Sequence, residues 1–205
     1  MSMEYYLSTP LKDDDIKKLK IGDIVFLSGT MVTARDEAHE MALELLAKNE
    51  KLPIDFRGLA VYHCGPVVVK ENNSWRIVAA GPTTSMRMES VEAEFIEKTG
   101  TKMIIGKGGM GERTANAMKK HVAVYAVFTG GAGALAAERI KRVKDVFWLD
   151  KLGVPEALWV LEVDKFGPLV ITIDSNGDNY YNLRLKHVEE NGEKIKQEMK
   201  SMKWP

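Results

Sequence analysis

The chain has 205 residues, enough for one domain or one and a half with a substantial buried core. Its 29 basic and 29 acidic side chains cancel, which argues against nucleic acid as a partner, because phosphate neutralisation needs a basic excess or stripe. No apolar run approaches the roughly 18 residues of a membrane span, and the opening "MSMEYYLSTPLKDDD" has neither the basic region nor the apolar core of a signal peptide, so a cytoplasmic chain without a membrane partner is expected.

In chain order, "GDIVFLSGT" is predicted to be a strand leading into the helix "ARDEAHEMALELLAKNE", where Ala38, Met41, Ala42, Leu45 and Leu46 recur at helical spacing. Thr33 and Asp36 stand in the [ST]-x-x-[DE] arrangement of a helix start, which places Arg35 in the first turn. "GLAVYHCGPVVVKENNSWRIVAAGP" reads as two strands joined at "ENNS". Alternation along it makes Cys64 a buried strand residue. As the only cysteine, Cys64 excludes an internal disulfide and cannot by itself hold an iron–sulfur cluster or a thiolate zinc site. The four histidines, His39, His63, His121 and His187, are scattered without metal-ligand spacing, so no metal site is expected on this chain.

A short helix is expected around Ser90 to Lys98, then the strand "KMIIG", a glycine-rich turn, and the helix "ERTANAMKKH". "VAVYAVF" is a further strand, "TGGAG" a turn and "ALAAERIKRVK" a helix. "EALWVLEV" and "PLVITID" read as two strands, and "SNGD" as a hairpin turn before a strand in "YYNLRL". Residues 187–205 are predicted to form a charged helical tail behind a domain spanning 1–186. Strands alternating with helices, flanked by hairpins, argue for a layered α/β domain with a mixed sheet and helices on one side.

Three predicted strand ends run into segments rich in Gly, Thr and basic residues: "SGTMVTARD", "GPTTSMR" and "GKGGMGE". Ligands of α/β sheets bind beyond the carboxyl ends of strands. Arg35 at a helix start is unfavourable on dipole grounds unless an anion is bound there. Arg87 offers the planar fork that matches a carboxylate, and Lys107 lies between glycines whose backbone a ligand can approach closely. Together they suit a small dianion. Each also has an ordinary reading, as solvated side chains and flexible turns, and neither the P-loop order nor a strict G-x-G-x-x-G is present.

Taken as a series, "GDIVFLSGTMVTARDEAH", "GPTTSMRM", "IIGKGGMG", "GGAGALAAERI" and "GVPEALWVLEVDKFGPLVITID" resemble the beta subunit of the class I iron–sulfur fumarate hydratase and L(+)-tartrate dehydratase family, from about residue 20 to residue 175. The resemblance implies a swivelling β/β/α domain that closes over a [4Fe–4S] cluster held by a separate alpha subunit, in a heterodimer or heterotetramer. It implies a hydro-lyase acting on a small dicarboxylate. It further implies that Arg35 and Arg87 hold substrate carboxylates with Thr84 beside them, that Lys107 works in the active site, and that Thr83 is the proton-abstracting base. Two other readings stay open: a dicarboxylate-binding or regulatory module without chemistry, and a stand-alone enzyme of another class.

Overall fold

The computed structural model describes residues 2–72 and 74–201. In chain order the elements are β1 (Glu4–Ser8), α1 (Asp13–Lys17), β2 (Ile24–Thr33), α2 (Asp36–Ala47), β3 (Ala60–Tyr62), β4 (Val67–Glu71), β5 (Ser74–Ala79), a 3-10 turn (Ser85–Met88), α3 (Glu89–Thr99), β6 (Met103–Gly106), α4 (Glu112–His121), β7 (Val124–Val127), α5 (Gly133–Glu138), β8 (Ile140–Phe147), α6 (Leu149–Leu152), β9 (Leu158–Ile173) and α7 (Tyr180–Ser201).

Strands β1, β2, β3, β6 and β7 run parallel and side by side. β9 is antiparallel to β7 at one end and to β2 along most of its length, with β8 beyond it, so the mixed sheet folds back on itself. β4 and β5 form a separate two-stranded hairpin. The side-chain period of two sorts the parallel strands into two cores. Ala60, Tyr62, Met103, Ile105, Val124 and Ala126 face Trp159, Leu161 and Phe166 of β9. Val61, Ile104 and Tyr125 face Ala42 of α2, Phe95 and Ile96 of α3, and Met118 of α4. Each large apolar side chain buried in this way contributes about 1.5–3 kcal/mol. The result is a layered β/β/α arrangement, as the sequence led us to expect.

Several local expectations are corrected. "ALAAERIKRVK" is helical only as far as Glu138, and residues 140–147 are strand β8. Two bulges explain the misreading: Ile140 and Arg142 pair with the adjacent Val163 and Glu162, and Val143 and Asp145 with Leu161 and Val160. They convert the apolar spacing of a strand from two to three, giving Ile140, Val143 and Val146, which imitates a helix. "EALWVLEV" and "PLVITID" are one strand, because Gly167 and Pro168 sit in a bulge between the Leu27–Phe166 and Val25–Leu169 pairs, where a missing N–H costs no ladder bond.

The segment "GLAVYHCGPVVVKENNSWRIVAAGP" holds three strands rather than two, and its turn includes Asn73, which lies outside the described residues. "SNGD" is a tight turn closed by one antiparallel bridge between Ile173 and Asn179, with Asp174 N–H donating to the Asp178 carbonyl at 3.1 Å, but no second strand follows it. Asn179 accepts the Tyr181 N–H through Oδ1 at 3.0 Å and the Leu183 N–H through its carbonyl at 3.1 Å, so "YYNLRL" starts α7 instead of a strand. Thr33 is not a cap. Its Oγ1 accepts the Trp159 N–H at 3.1 Å and donates to the Ala157 carbonyl at 3.4 Å, and Arg35, in extended conformation, is the residue that precedes α2.

Candidate active site

Parallel strands deliver their carboxyl ends to one edge: Arg35 follows β2, His63 to Gly65 follow β3, and Lys107 follows β6. The segment Gly81 to Arg87 is laid across that edge. Pro82 bridges to Cys64, Thr83 N–H donates to the His63 carbonyl at 2.7 Å, Thr84 bridges to Lys107, and Ser85 N–H donates to the Lys107 carbonyl at 3.1 Å. It therefore inserts like a short added strand between the ends of β3 and β6. The 3-10 turn that follows aims Arg87 at α2.

The two arginines meet at Asp36. Arg87 grips its carboxylate with two bonds, Nε to Oδ1 at 3.0 Å and Nη2 to Oδ2 at 2.6 Å, and Arg35 Nη2 lies 3.9 Å from the same Oδ2. Arg35 also pairs with Glu156 Oε1 at 3.1 Å, and its buried Nε has no hydrogen-bond partner. Gly65 lies directly under that guanidinium: a Cβ there would stand 2.7 Å from Arg35 Nη1 and 2.6 Å from the Pro155 carbonyl. Glu156 is half-buried, and burial raises its carboxyl above the ordinary range, with Arg35 opposing the effect. Its other oxygen accepts the Glu37 N–H at 3.2 Å, so a carboxylate of the chain itself supplies the anion expected at this helix start.

Lys107 is exposed and makes no ion pair among the described residues. Its aliphatic stem crosses Gly130 of the "TGGAG" turn, where a Cβ would stand 3.1 Å from its Cδ. The same turn packs on the opposite segment, Ala80 N–H donating to the Gly133 carbonyl at 2.9 Å. The start of α4 is closed by Glu89, whose carboxylate accepts the Gly111 N–H at 2.7 Å, the Arg113 N–H at 3.1 Å and the Thr114 hydroxyl at 2.6 Å. The five residues singled out from sequence thus share one neighbourhood. Thr84, Arg87 and Lys107 are exposed while Thr83 and Arg35 are half-buried, so the site is an open face. A concavity of about 510 Å³ lined by Leu46, Leu52, Phe56 and Arg57 lies elsewhere.

Beneath this face lies a cluster that sequence spacing did not reveal, which corrects the reading of the histidines as scattered. His39, His63 and Glu92 are fully buried together: His63 Nε2 is 2.9 Å from Glu92 Oε2 and His39 Nε2 is 3.6 Å from Oε1. Outward, His39 Nδ1 donates to the Arg35 carbonyl at 2.7 Å, and His63 Nδ1 is 2.9 Å from Ser85 Oγ. Burial disfavours the Glu92 carboxylate, but the two imidazoles outweigh burial and hold its pKa near about 2. Burial also opposes a charge on His39, yet Glu92 and the Arg35 carbonyl raise its pKa. For His63 burial prevails and its pKa is lowered, helped by the neighbouring His39. Ligand atoms of the three lie within 4.8 Å of one another, a metal-compatible set by atom type. None of the four facing atoms, His39 Nε2, His63 Nε2 and the two Glu92 oxygens, makes a hydrogen bond of good geometry among the described residues, so the cluster is held by close ion-pair contact. The signal that could have found it was Glu92, a carboxylate on the buried face of α3 shared with Phe95, Ile96 and Thr99.

Cys64 does not fit an iron–sulfur cluster. It is buried and lone, and burial pushes its thiol up to about 12, with Arg35 only partly opposing. A cluster with an open iron needs about three protein thiolates.

The face at the strand ends of this layered α/β domain is open and carries the cationic side chains of Arg35, Arg87 and Lys107. The chain belongs to the Fumarase C-terminus family, whose model matches residues 2–184. It is 45% identical over 177 residues to the L(+)-tartrate dehydratase subunit beta of Escherichia coli, covering 86% of each chain. A Methanocaldococcus jannaschii protein provisionally named as an L(+)-tartrate dehydratase subunit beta is 49% identical over 179 residues, covering 87% of this chain and 91% of the relative. A Geobacillus stearothermophilus protein provisionally named a class I fumarate hydratase is 40% identical over 176 residues, where this chain matches 33% of the longer relative.

Proposed function

We propose that this chain is the beta subunit of a hydro-lyase that interconverts a 2-hydroxy dicarboxylate and its dehydrated product, fumarate and malate first and L-tartrate and oxaloacetate next, and that it acts only with an alpha subunit. The observation that carries this reading is the convergence of Arg35 and Arg87 on one carboxylate, that of Asp36, on the same face as Lys107, an exposed lysine without an ionic partner among the described residues. A substrate carboxylate matches the same fork. Loss of water also needs a base for the carbon-bound proton and a Lewis acid for the departing hydroxyl.

A partner's [4Fe–4S] cluster would supply the Lewis acid through an open iron position. This chain supplies the rest: Arg35 and Arg87 bind and orient the carboxylates with Thr84 beside them, and Lys107 stabilises charge that develops as the proton leaves. Thr83 takes that proton as its alkoxide, which the cationic face favours and whose own hydroxyl proton has left to solvent before the site closes. Both binding and proton transfer then require the open face to be covered by a second surface, which a swivelling closure provides. No helix of the described residues is long and apolar enough to cross a membrane. The single buried thiol suits a reducing compartment, and we place the enzyme in the cytoplasm.

The test is reconstitution. The purified chain should be folded, colourless and inactive, and anaerobic mixing with a cluster-loaded alpha subunit should restore turnover. Assays with malate and L-tartrate then decide between the two acids. In that complex Arg87→Lys keeps the charge but loses the fork, and should cost about 2 to 4 kcal/mol in transition-state binding, read as kcat/KM. Turnover by the isolated chain under aerobic chelating conditions, or tight dicarboxylate binding without activity in the complex, would overturn the proposal.

A further inference from the structure

The buried His39–Glu92–His63 cluster lies beneath the site, where Arg35, Thr83 and Lys107 are each joined to it through one or two hydrogen bonds, and Thr84 and Arg87 flank Ser85, which contacts it. We propose that it is the positioning element of the active site, a strut of buried ion-pair contacts inside the helical layer that fixes the relative places of the loops after β2, β3 and β6. The inference rests on the proposed hydro-lyase reading for its catalytic consequence, but not for its structural one.

The protonation pattern follows from the partners. The Arg35 carbonyl can only accept, so His39 carries a proton on Nδ1, and that bond ties the backbone of Arg35 to α2. Glu92 Oε2 is a carboxylate oxygen 2.9 Å from His63 Nε2, so the ring turns its Nε2–H toward it in an ion-pair contact. His63 Nδ1 is then the acceptor for the Ser85 hydroxyl, whose Oγ accepts the Lys107 N–H at 3.2 Å. The carbonyl of His63 takes the Thr83 N–H, and the Lys107 carbonyl takes the Ser85 N–H. Arg87 belongs to the same 3-10 turn as Ser85.

Burial gives the arrangement its stiffness. His39, His63, Ser85 and Glu92 are all fully buried, so no water replaces a broken link, and the carboxylate is not free to turn away without leaving both imidazoles unpartnered. Gly106 makes room for it, since a Cβ there would overlap Ser85 Oγ and stand 3.2 Å from His63 Nδ1. A buried carboxylate between two imidazoles is a costly way to hold a core together, because apolar residues of similar volume would serve stability as well or better. Directionality is what the polar cluster adds, and directionality is what a set of cationic and hydroxyl groups aimed at one substrate requires.

The test uses Glu92→Ala, Glu92→Gln and Ser85→Ala in the full chain and in the assembled enzyme. Gln can accept from His63 Nε2–H with its oxygen and donate an amide N–H to His39 Nε2, so it preserves both links, whereas Ala preserves neither. In the isolated chain, hydrogen exchange at the amides of Thr83, Ser85 and Lys107 should quicken at least about 10-fold in Glu92→Ala and in Ser85→Ala, with β2 and β9 amides unchanged and Glu92→Gln close to wild type. In the assembled enzyme, Glu92→Ala should lose about 100-fold in kcat/KM, the scale of a small misplacement of catalytic groups, and Glu92→Gln should recover most of it. If Glu92→Ala fails to fold, the exchange pattern of Ser85→Ala and the activity of Glu92→Gln still decide. Faster exchange spread over the whole sheet would reduce the cluster to a stability element. An unchanged exchange rate at the three amides, or a stoichiometric metal in the wild type that Glu92→Ala loses, would overturn the proposal. An inactive wild-type complex with the exchange pattern intact would sink the hydro-lyase reading and leave the positioning one standing.

Discussion

Thr83 and Thr84 are neighbours with different surroundings. Thr83 is half-buried and anchored by its N–H to the His63 carbonyl, whereas Thr84 is exposed and pairs along the backbone with Lys107. A base must sit in a fixed place, so Thr83→Ala should abolish turnover of the assembled enzyme while leaving the partner's cluster content normal, and Thr84→Ala should be milder. Equal, small losses in kcat would make the pair turn hydroxyls only. Gly106 offers a steric probe. Gly106→Ala would drive a methyl into Ser85 Oγ, and overpacking of this kind costs about 1–3 kcal/mol, measurable as a fall in denaturation midpoint together with a loss of activity. The hydroxyls, the arginine fork and the glycine-flanked lysine were legible from residue type and from their place after strands. Asp36 and Glu156, which hold the arginines, were not, because a carboxylate on a helix start or in a loop has many ordinary uses.

At the scale of elements, α7 divides into two parts. Its first turn docks on the glycine loop of Lys107: a Cβ on Gly109 would stand 2.9 Å from Tyr181 Cδ2, and Asn179 Nδ2 donates to the Met110 carbonyl at 2.9 Å. Beyond it Leu185, Val188, Ile195 and Met199 are exposed, and the family match ends at residue 184. We therefore expect a chain ending at Lys186 to keep its melting temperature within about 2 °C, since exposed residues of this kind contribute little. A chain ending at Asp178 should melt lower and lose activity with the loosened Lys107 loop. Thermal melts of the two truncations check this. The boundary at residue 187 expected from composition falls inside a continuous helix whose docking already ends at Tyr181, with residues 182–190 exposed; residues 202–205 of the expected tail lie outside the described residues.

For the whole molecule the buried carboxylate sets the acid response. Glu92 has an ordinary value of 4.5 and is held near about 2 in the fold, so the unfolded chain binds its proton first. The stability it contributes is present above pH 4.5 and is lost as pH falls through the folded value. His63, with its pKa lowered from 6.5, acts in the same direction below its ordinary value, because the unfolded chain takes up a proton that the fold refuses. His39, with its pKa raised, acts oppositely: its contribution is complete below 6.5 and fades as pH rises through its folded value. Melting temperatures recorded between pH 4.5 and 2 should therefore fall more steeply for the wild type than for Glu92→Gln, which has no carboxyl to protonate. Parallel curves would show that the carboxylate is not held ionised.

The sequence by itself determined the layered class, the helices α2, α3 and α4, and the strand-end segments that form the candidate face. These are local properties: apolar period, turn residues and charged or hydroxyl side chains placed next to them. Tertiary structure decided what depends on pairing between distant segments. The bulges that let β8 mimic a helix and let Pro168 lie within β9 exist only against partner strands, and Thr33 caps nothing because β9 claims its hydroxyl. His39, His63 and Glu92 come from a helix, a strand end and another helix, and no spacing along the chain relates them. They meet because α2 and α3 pack on the same face of the sheet beside the end of β3, and once burial has removed water each can be satisfied only by the others.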